Sequence, residues 1–143
     1  MISTDFNPWK RIDTFDPEEL REQSSDLVQW PIKLWKIPSV SPYFHHAHLL
    51  VAGDCTAFSH PGFHDVLSRG RIPLICCPEN DFDIQMKLSE IFEMNDISSV
   101  TVVSMDTPCC GDLRKFVLQA AKHSKLPIPI QVTTLFVDAE VVE

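Results

Sequence analysis

The stretch HLLVAG at residues 48–53 decides the fold of this chain. It is a continuous apolar run, without the alternation of a strand that has one face in water, so it predicts a strand covered on both faces. The runs at 72–76 and 100–103 have the same character, and the β-branched residues at 128–137 predict a last strand. Buried strands of this kind are typical of a parallel sheet.

Helical patterns lie between these strands. Apolar residues recur at helical spacing over 61–69, where Gly70 provides a stop, and again over 84–92 and 111–123. Alternating strands and helices imply right-handed crossovers. The sequence therefore predicts an α/β fold, a three-layer sandwich with a mainly parallel sheet of about five strands and helices on both faces.

The chain begins with a polar segment, residues 1–26, which we interpret as an N-terminal arm. Residues 27–143 then form a single α/β domain, which we expect to bind metal or act through thiols. Within it, residues 28–37 carry apolar side chains in partial alternation and predict a strand. Pro31 favours a position at the edge of the sheet for that strand, because proline cannot donate a ladder hydrogen bond.

Charge and hydropathy exclude several classes of partner. The 143 residues include 12 Lys and Arg against 20 Asp and Glu, a net charge of −8, which argues against nucleic acid and anionic membranes. No apolar run approaches the roughly 20 residues of a membrane-spanning helix. The first residues show no signal peptide, so we expect a cytoplasmic protein with reduced thiols.

The five cysteines are the most informative residues for function. Cys55 stands alone, and the others form two adjacent pairs, at 76–77 and 109–110. An odd number of cysteines in adjacent pairs is a poor disulfide framework. In a reducing compartment, clustered cysteines more often bind metal or carry out redox chemistry.

All three groups of cysteines follow predicted parallel strands at their carboxyl ends, the edge where open α/β sheets bind ligands. We therefore predict that Cys55, Cys77, Cys109 and Cys110 meet in one site. His64, in the first turn of the 61–69 helix, adds a candidate imidazole ligand. Three or four such ligands suit zinc or an iron–sulfur cluster, and the sequence leaves the choice between them open.

Other histidines and the remaining cysteine have simpler interpretations. Cys76 lies inside an apolar strand, where a free cysteine acts as a small apolar side chain. His45, His46 and His48 form a short tract that we interpret as a surface cluster, because the α/β pattern does not fit a jelly-roll metal site.

Two alternatives to a metal site stay open. The first is a metal-free thiol enzyme, in which Cys110 or Cys55 is a nucleophile activated by a helix N-terminus. The second is a non-catalytic interaction module in which the thiols only pack.

A set of short motifs carries a family resemblance over residues 27–137. These are AGDC at 52–55, FH at 63–64, CP at 77–78 and PCCG at 108–111. In this order they resemble the C-terminal region of 4Fe-4S ferredoxin-type iron–sulfur binding proteins of anaerobic prokaryotes. The resemblance implies an iron–sulfur-associated electron-transfer module with a redox partner protein, and its matching positions are Cys55, His64, Cys77, Cys109 and Cys110.

The chain departs from this family pattern in two respects. Residues 1–54 contain no cysteine, so we do not expect the N-terminal ferredoxin segment with its own [4Fe–4S] centre. In addition, the family favours a Lys-containing acidic stretch where this chain has Glu79-Asn80-Asp81, and a glycine where it has Asp112. These differences change the surface available to a partner.

Overall fold

A computed structural model describes residue 27, residues 29–137 and residues 141–142. The predicted N-terminal arm, residues 1–26, lies outside the described residues. The longest elements are four strands and two α-helices, and the functional interest lies in how the strands end.

The central layer is a sheet with the strand order β2-β1-β3-β4-β5. Its strands are β1 (His48–Gly53), β2 (Ile72–Cys76), β3 (Ser99–Met105), β4 (Ile130–Leu135) and β5 (Val141–Val142). Strands β1 to β4 are parallel, whereas the two-residue β5 pairs antiparallel with β4. The mainly parallel α/β sheet is confirmed, but its parallel part has four strands rather than five.

Strand β1 occupies the interior of the sheet because it is apolar on both faces. Every residue from Leu49 to Gly53 is buried. Leu49 and Val51 face one core, and Leu50 and Ala52 face the other. Strand β1 is therefore covered on both faces, as its continuous apolar run predicts.

Helical segments cover both faces of the sheet and complete the three-layer sandwich. The helices α2 (Ile84–Met94) and α3 (Leu113–Ala121) pack together on one face, and a π-helix, Phe63–Ser68, packs on the other. A short helix, α1 (Thr56–Ser59), follows β1 directly. The π-helix ends before Gly70, whose positive φ of 75° suits glycine.

The prediction of an edge strand over residues 28–37 is wrong. The segment forms a 3₁₀-helix at Leu34–Lys36, and only Lys33 makes an isolated parallel bridge, to Ile75. Leu34 and Ile37 are both buried, and their three-residue spacing matches a helical turn rather than a strand. Pro31 has no N–H to donate, which weakens strand pairing here.

Candidate functional site

The thiol cavity lies at the carboxyl edge of the sheet, where β1, β2 and β3 end. Four of the five cysteines line it: Cys55, Cys77, Cys109 and Cys110. The cavity has a volume of about 140 Å³, and Pro78, Met105 and Thr107 are among its other lining residues. The predicted convergence of the three cysteine-bearing loops is thus observed as one shared cavity.

The four thiols lie at different depths. Cys110 is buried, Cys77 is half-buried, and Cys55 and Cys109 are exposed. The cavity therefore extends from the protein surface to the end of the β1 strand. Its outer thiols are open to solvent, whereas the inner thiol, Cys110, is covered by the surrounding residues.

Burial raises the pKa of the Cys110 thiol. A hydrogen bond from the Met105 backbone N–H opposes this rise, and the neighbouring Cys109, Cys77 and Cys55 add to it. Interaction with all three other thiols places them within electrostatic range of Cys110. In the metal-free protein Cys110 is therefore a neutral thiol near neutral pH.

Gly53 makes room for the Cys110 side chain. A Cβ atom at this position would lie 2.6 Å from Cys110 Sγ, closer than any ordinary contact. Thr56 Oγ1 donates to the Gly53 carbonyl at 2.8 Å and holds the turn that leads from β1 into α1. Only glycine therefore lets the β1 backbone approach the inner thiol so closely.

Thr107, which also lines the cavity, contacts one of the exposed thiols. Its Oγ1 lies 3.3 Å from Cys109 Sγ. The Thr107 carbonyl accepts from the Cys110 N–H at 3.1 Å and closes the turn that carries both cysteines. Sequence reasoning missed Gly53, Thr107 and Met105 as parts of the site, although a glycine at a strand end does signal a close backbone approach.

Cys110 does not lie at the start of the helix that follows it. Helix α3 begins at Leu113 with Asp112 as its N-cap, so the prediction of a helix over 111–123 was too long at this end. The thiol is thus not at a helix N-terminus, and that argument for its activation does not apply. Cys55, in contrast, is the N-cap of the four-residue α1, although its side chain makes no capping hydrogen bond.

Cys76 lies in the core, as its place inside an apolar strand predicts. It is fully buried on the α2 and α3 face of the sheet. Desolvation raises its pKa strongly, and the carboxylates of Asp81 and Asp54 raise it further. Cys76 does not line the thiol cavity.

The structure does not bring His64 to the thiol cavity. This residue is exposed on the π-helix, its ring lies edge-on to Phe63, and it lines a separate cavity with Arg69 and Arg71. The sequence placed His64 correctly in a first helical turn, but it did not show which way the side chain points. The site that we consider below therefore comprises the four cysteines alone.

Three of the other five histidines form the surface cluster that the sequence indicates. His45, His46 and His48 are all exposed at the amino edge of the sheet, opposite the thiol cavity. The rings of His45 and His46 lie 3.9 Å apart, and His48 Nδ1 lies 2.6 Å from Ser99 Oγ.

The thiols do not converge on a single point. Across the part of the chain that the structure describes, no group of three or more Cys, His, Asp or Glu side chains is arranged to hold one metal ion. The four cysteines share a cavity, but the predicted zinc or iron–sulfur ligation stays a prediction.

The structure thus shows an α/β protein whose thiol cavity lies beyond the carboxyl ends of parallel strands, the edge where such sheets bind ligands. The model of the Rossmann-like domain family matches residues 41–143, so the chain belongs to that family. No curated protein and no solved structure matches the chain. Among the described residues, none of the helices has both the length and the apolar character needed to cross a membrane.

Proposed function

We propose that the protein binds a thiophilic metal centre in the thiol cavity, through Cys55, Cys77, Cys109 and Cys110. The observation that carries this proposal is the shared cavity, since residues from three separate strand ends contribute four sulfur atoms to one small space. The five cysteines are all free, which fits a reducing compartment such as the cytoplasm. Sulfur ligands select zinc and iron–sulfur centres.

The spacing of the thiols favours an iron–sulfur cluster over a single zinc ion. Zinc binds thiolates at about 2.3 Å, so four thiolates on one ion stand only about 4 Å apart. The described residues contain no such compact group. Cysteines that bind a cluster attach to different iron atoms, so they surround a volume rather than a point. A cavity of about 140 Å³ ringed by four thiols has this form.

Protonation links metal binding to pH in this proposal. The raised pKa of Cys110 means that its proton must leave before its sulfur can act as a ligand. The exposed Cys55 and Cys109 keep the cavity within reach of the surface. A bound cluster would thus lie close enough to the surface to exchange electrons with a partner protein, which is the redox role that we assign to the protein.

The test is purification without oxygen, followed by iron, zinc and acid-labile sulfide analysis and a visible spectrum. We expect iron and sulfide together with broad visible absorption, and we expect loss of both in Cys77→Ser. Cys76→Ala is the matched control, because it removes the neighbouring thiol that lies outside the cavity. The proposal is contradicted if the purified protein is colourless and metal-free and its melting temperature does not change when zinc, iron or a chelator is added.

A metal-free thiol enzyme is the second candidate, and the exposure of two thiols supports it. Cys55 and Cys109 are open to solvent, and Thr107 Oγ1 contacts Cys109 Sγ. Cys110 is a poor nucleophile because burial favours its neutral form. Alkylation of the metal-free protein at neutral pH separates the candidates. One thiol reacting far faster than the others supports the enzyme, and equal slow reaction of all five removes it.

A further inference from the structure

Lys33 forms an ion-pair triad beside the thiol cavity. Its Nζ donates to Asp54 Oδ1 at 2.9 Å and Oδ2 at 3.0 Å, and it lies 3.4 Å from Asp81 Oδ2. Burial lowers the pKa of Lys33, but the hydrogen bond and charge of Asp54, followed by those of Asp81, outweigh it and raise the pKa overall. One ammonium group is thus shared by two carboxylates from different loops.

Each carboxylate of the triad belongs to a loop that carries a cavity cysteine. Asp54 directly precedes Cys55, and its N–H donates to the Cys76 carbonyl at 3.0 Å. Asp81 Oδ2 accepts from the Cys77 N–H at 2.6 Å, and the Asp81 N–H donates to the Cys77 carbonyl at 2.8 Å. The triad therefore connects the loop after β1 to the loop after β2.

Lys33 is itself anchored to the sheet. The Ile75 N–H donates to the Ile32 carbonyl at 2.8 Å, and Lys33 bridges Ile75. The next residue, Leu34, is buried in the core. The backbone that carries the ammonium group is thus held against β2, so the side chain approaches both loops from a fixed point.

We propose that Lys33 is a positioning residue for the thiol cavity and holds the Cys55 and Cys77 loops at the separation that metal binding needs. Without it, Asp54 and Asp81 lose the cation that they share and repel each other, and the two loops separate. The effect is moderate, because the side chains of Lys33, Asp54 and Asp81 are 41%, 38% and 24% exposed. The consequence for metal rests on the proposed function, whereas the positioning of the loops does not.

Hydrogen exchange measured by mass spectrometry on the full chain tests the positioning. In Lys33→Met we expect exchange to rise roughly two- to fivefold in peptides covering 54–58 and 76–81, as loss of partly exposed ion pairs allows. Peptides covering 107–112 should not change. Lys33→Arg should restore slow exchange, and Lys36→Met, at an exposed lysine of the same segment, should match the wild type.

Unchanged exchange in both loops overturns the proposal, as does an equal rise throughout the chain, which would indicate general destabilisation. A second measurement connects the triad to the metal. Release of iron to a chelator, from protein loaded with iron and sulfide in the absence of oxygen, should be roughly two- to fivefold faster from Lys33→Met than from Lys33→Arg. Equal release rates contradict the functional part. If the wild type binds neither zinc nor iron, the proposed function fails, and the exchange result alone still decides whether Lys33 positions the loops.

Discussion

The two edges of the sheet both carry residues that commonly bind metal, but they present them differently. At the carboxyl edge, three loops bring four thiols around a cavity of about 140 Å³. At the amino edge, His45 and His46 are neighbours in sequence and line an open cavity of about 510 Å³. The larger cavity takes both of its imidazoles from one turn, whereas the smaller cavity takes its four thiols from three parts of the fold. Convergence of distant residues distinguishes a candidate site from a surface cluster more clearly than cavity volume does.

Gly53→Ala should have the largest effect at the carboxyl edge. The added Cβ would lie 2.6 Å from Cys110 Sγ, so we expect a loss of about 1–3 kcal/mol in unfolding free energy, measured by urea denaturation. Gly111→Ala is the matched control, since its nearest neighbour is at an ordinary 3.6 Å. The double variant Gly53→Ala/Cys110→Ala should recover much of the loss. If it recovers none, the contact with Cys110 is not the cause.

Removing side chains that could bind metal at each edge of the sheet tests the contrast between the thiol cavity and the histidine cluster. We expect Cys77→Ser to weaken the binding of iron, supplied with sulfide in the absence of oxygen, roughly tenfold or more, because a thiolate ligand is lost. The double variant His45→Ala/His46→Ala should leave the affinity for iron unchanged within about twofold, since no cysteine among the described residues lines the cavity at that edge and thiolates are the ligands that bind iron–sulfur clusters. Competition with a chromophoric chelator measures both. A larger loss from the histidine variant would reverse our assignment of the site.

Alkaline pH should destabilise the protein through its buried thiols. The folded-state pKa of Cys76 and of Cys110 lies above the ordinary value of 9.0, so the unfolded chain loses these protons first. Their stabilising contribution is complete below pH 9 and declines as the pH rises above it. We expect Cys76→Val to reduce the decline between pH 9 and pH 10 by on the order of 1 kcal/mol. Identical pH slopes for variant and wild type would contradict this.

The smallest effect should come from the amino edge. His48 is exposed, and its side chain bonds only to Ser99 among the described partners. We expect His48→Ala to change the unfolding free energy by less than about 0.5 kcal/mol, which thermal denaturation can measure. A cost above 2 kcal/mol would show that the histidine cluster has a structural role that its exposure does not indicate.

Local patterns in the sequence predicted the elements that pack in the core. The apolar run at β1 and the helical spacing of Leu113, Val117 and Ala120 both correspond to buried faces. The prediction for residues 28–37 was wrong because a short segment with apolar residues three apart fits a turn of helix as well as a strand. A hydrophobic pattern that extends over a long segment identified its element, whereas the short pattern over residues 28–37 fitted two kinds of element.

The division between core and cavity thiols also followed from local geometry. Adjacent side chains at a strand end point in opposite directions, so Cys76 enters the core and Cys77 the cavity. His64 could not be placed in this way. Its direction depends on how the π-helix sits against the sheet, and that packing is not encoded within the segment itself.

The sequence by itself determined that strands and helices alternate, and hence that the cysteine-bearing loops lie at one edge of a parallel sheet. This follows from hydrophobic periodicity, which is a local property. Only the tertiary structure decided that Cys110 packs against Gly53, that His64 points elsewhere, and that Lys33 joins the Asp54 and Asp81 loops. Those contacts depend on strand register and on loop packing, which arise only when distant segments meet.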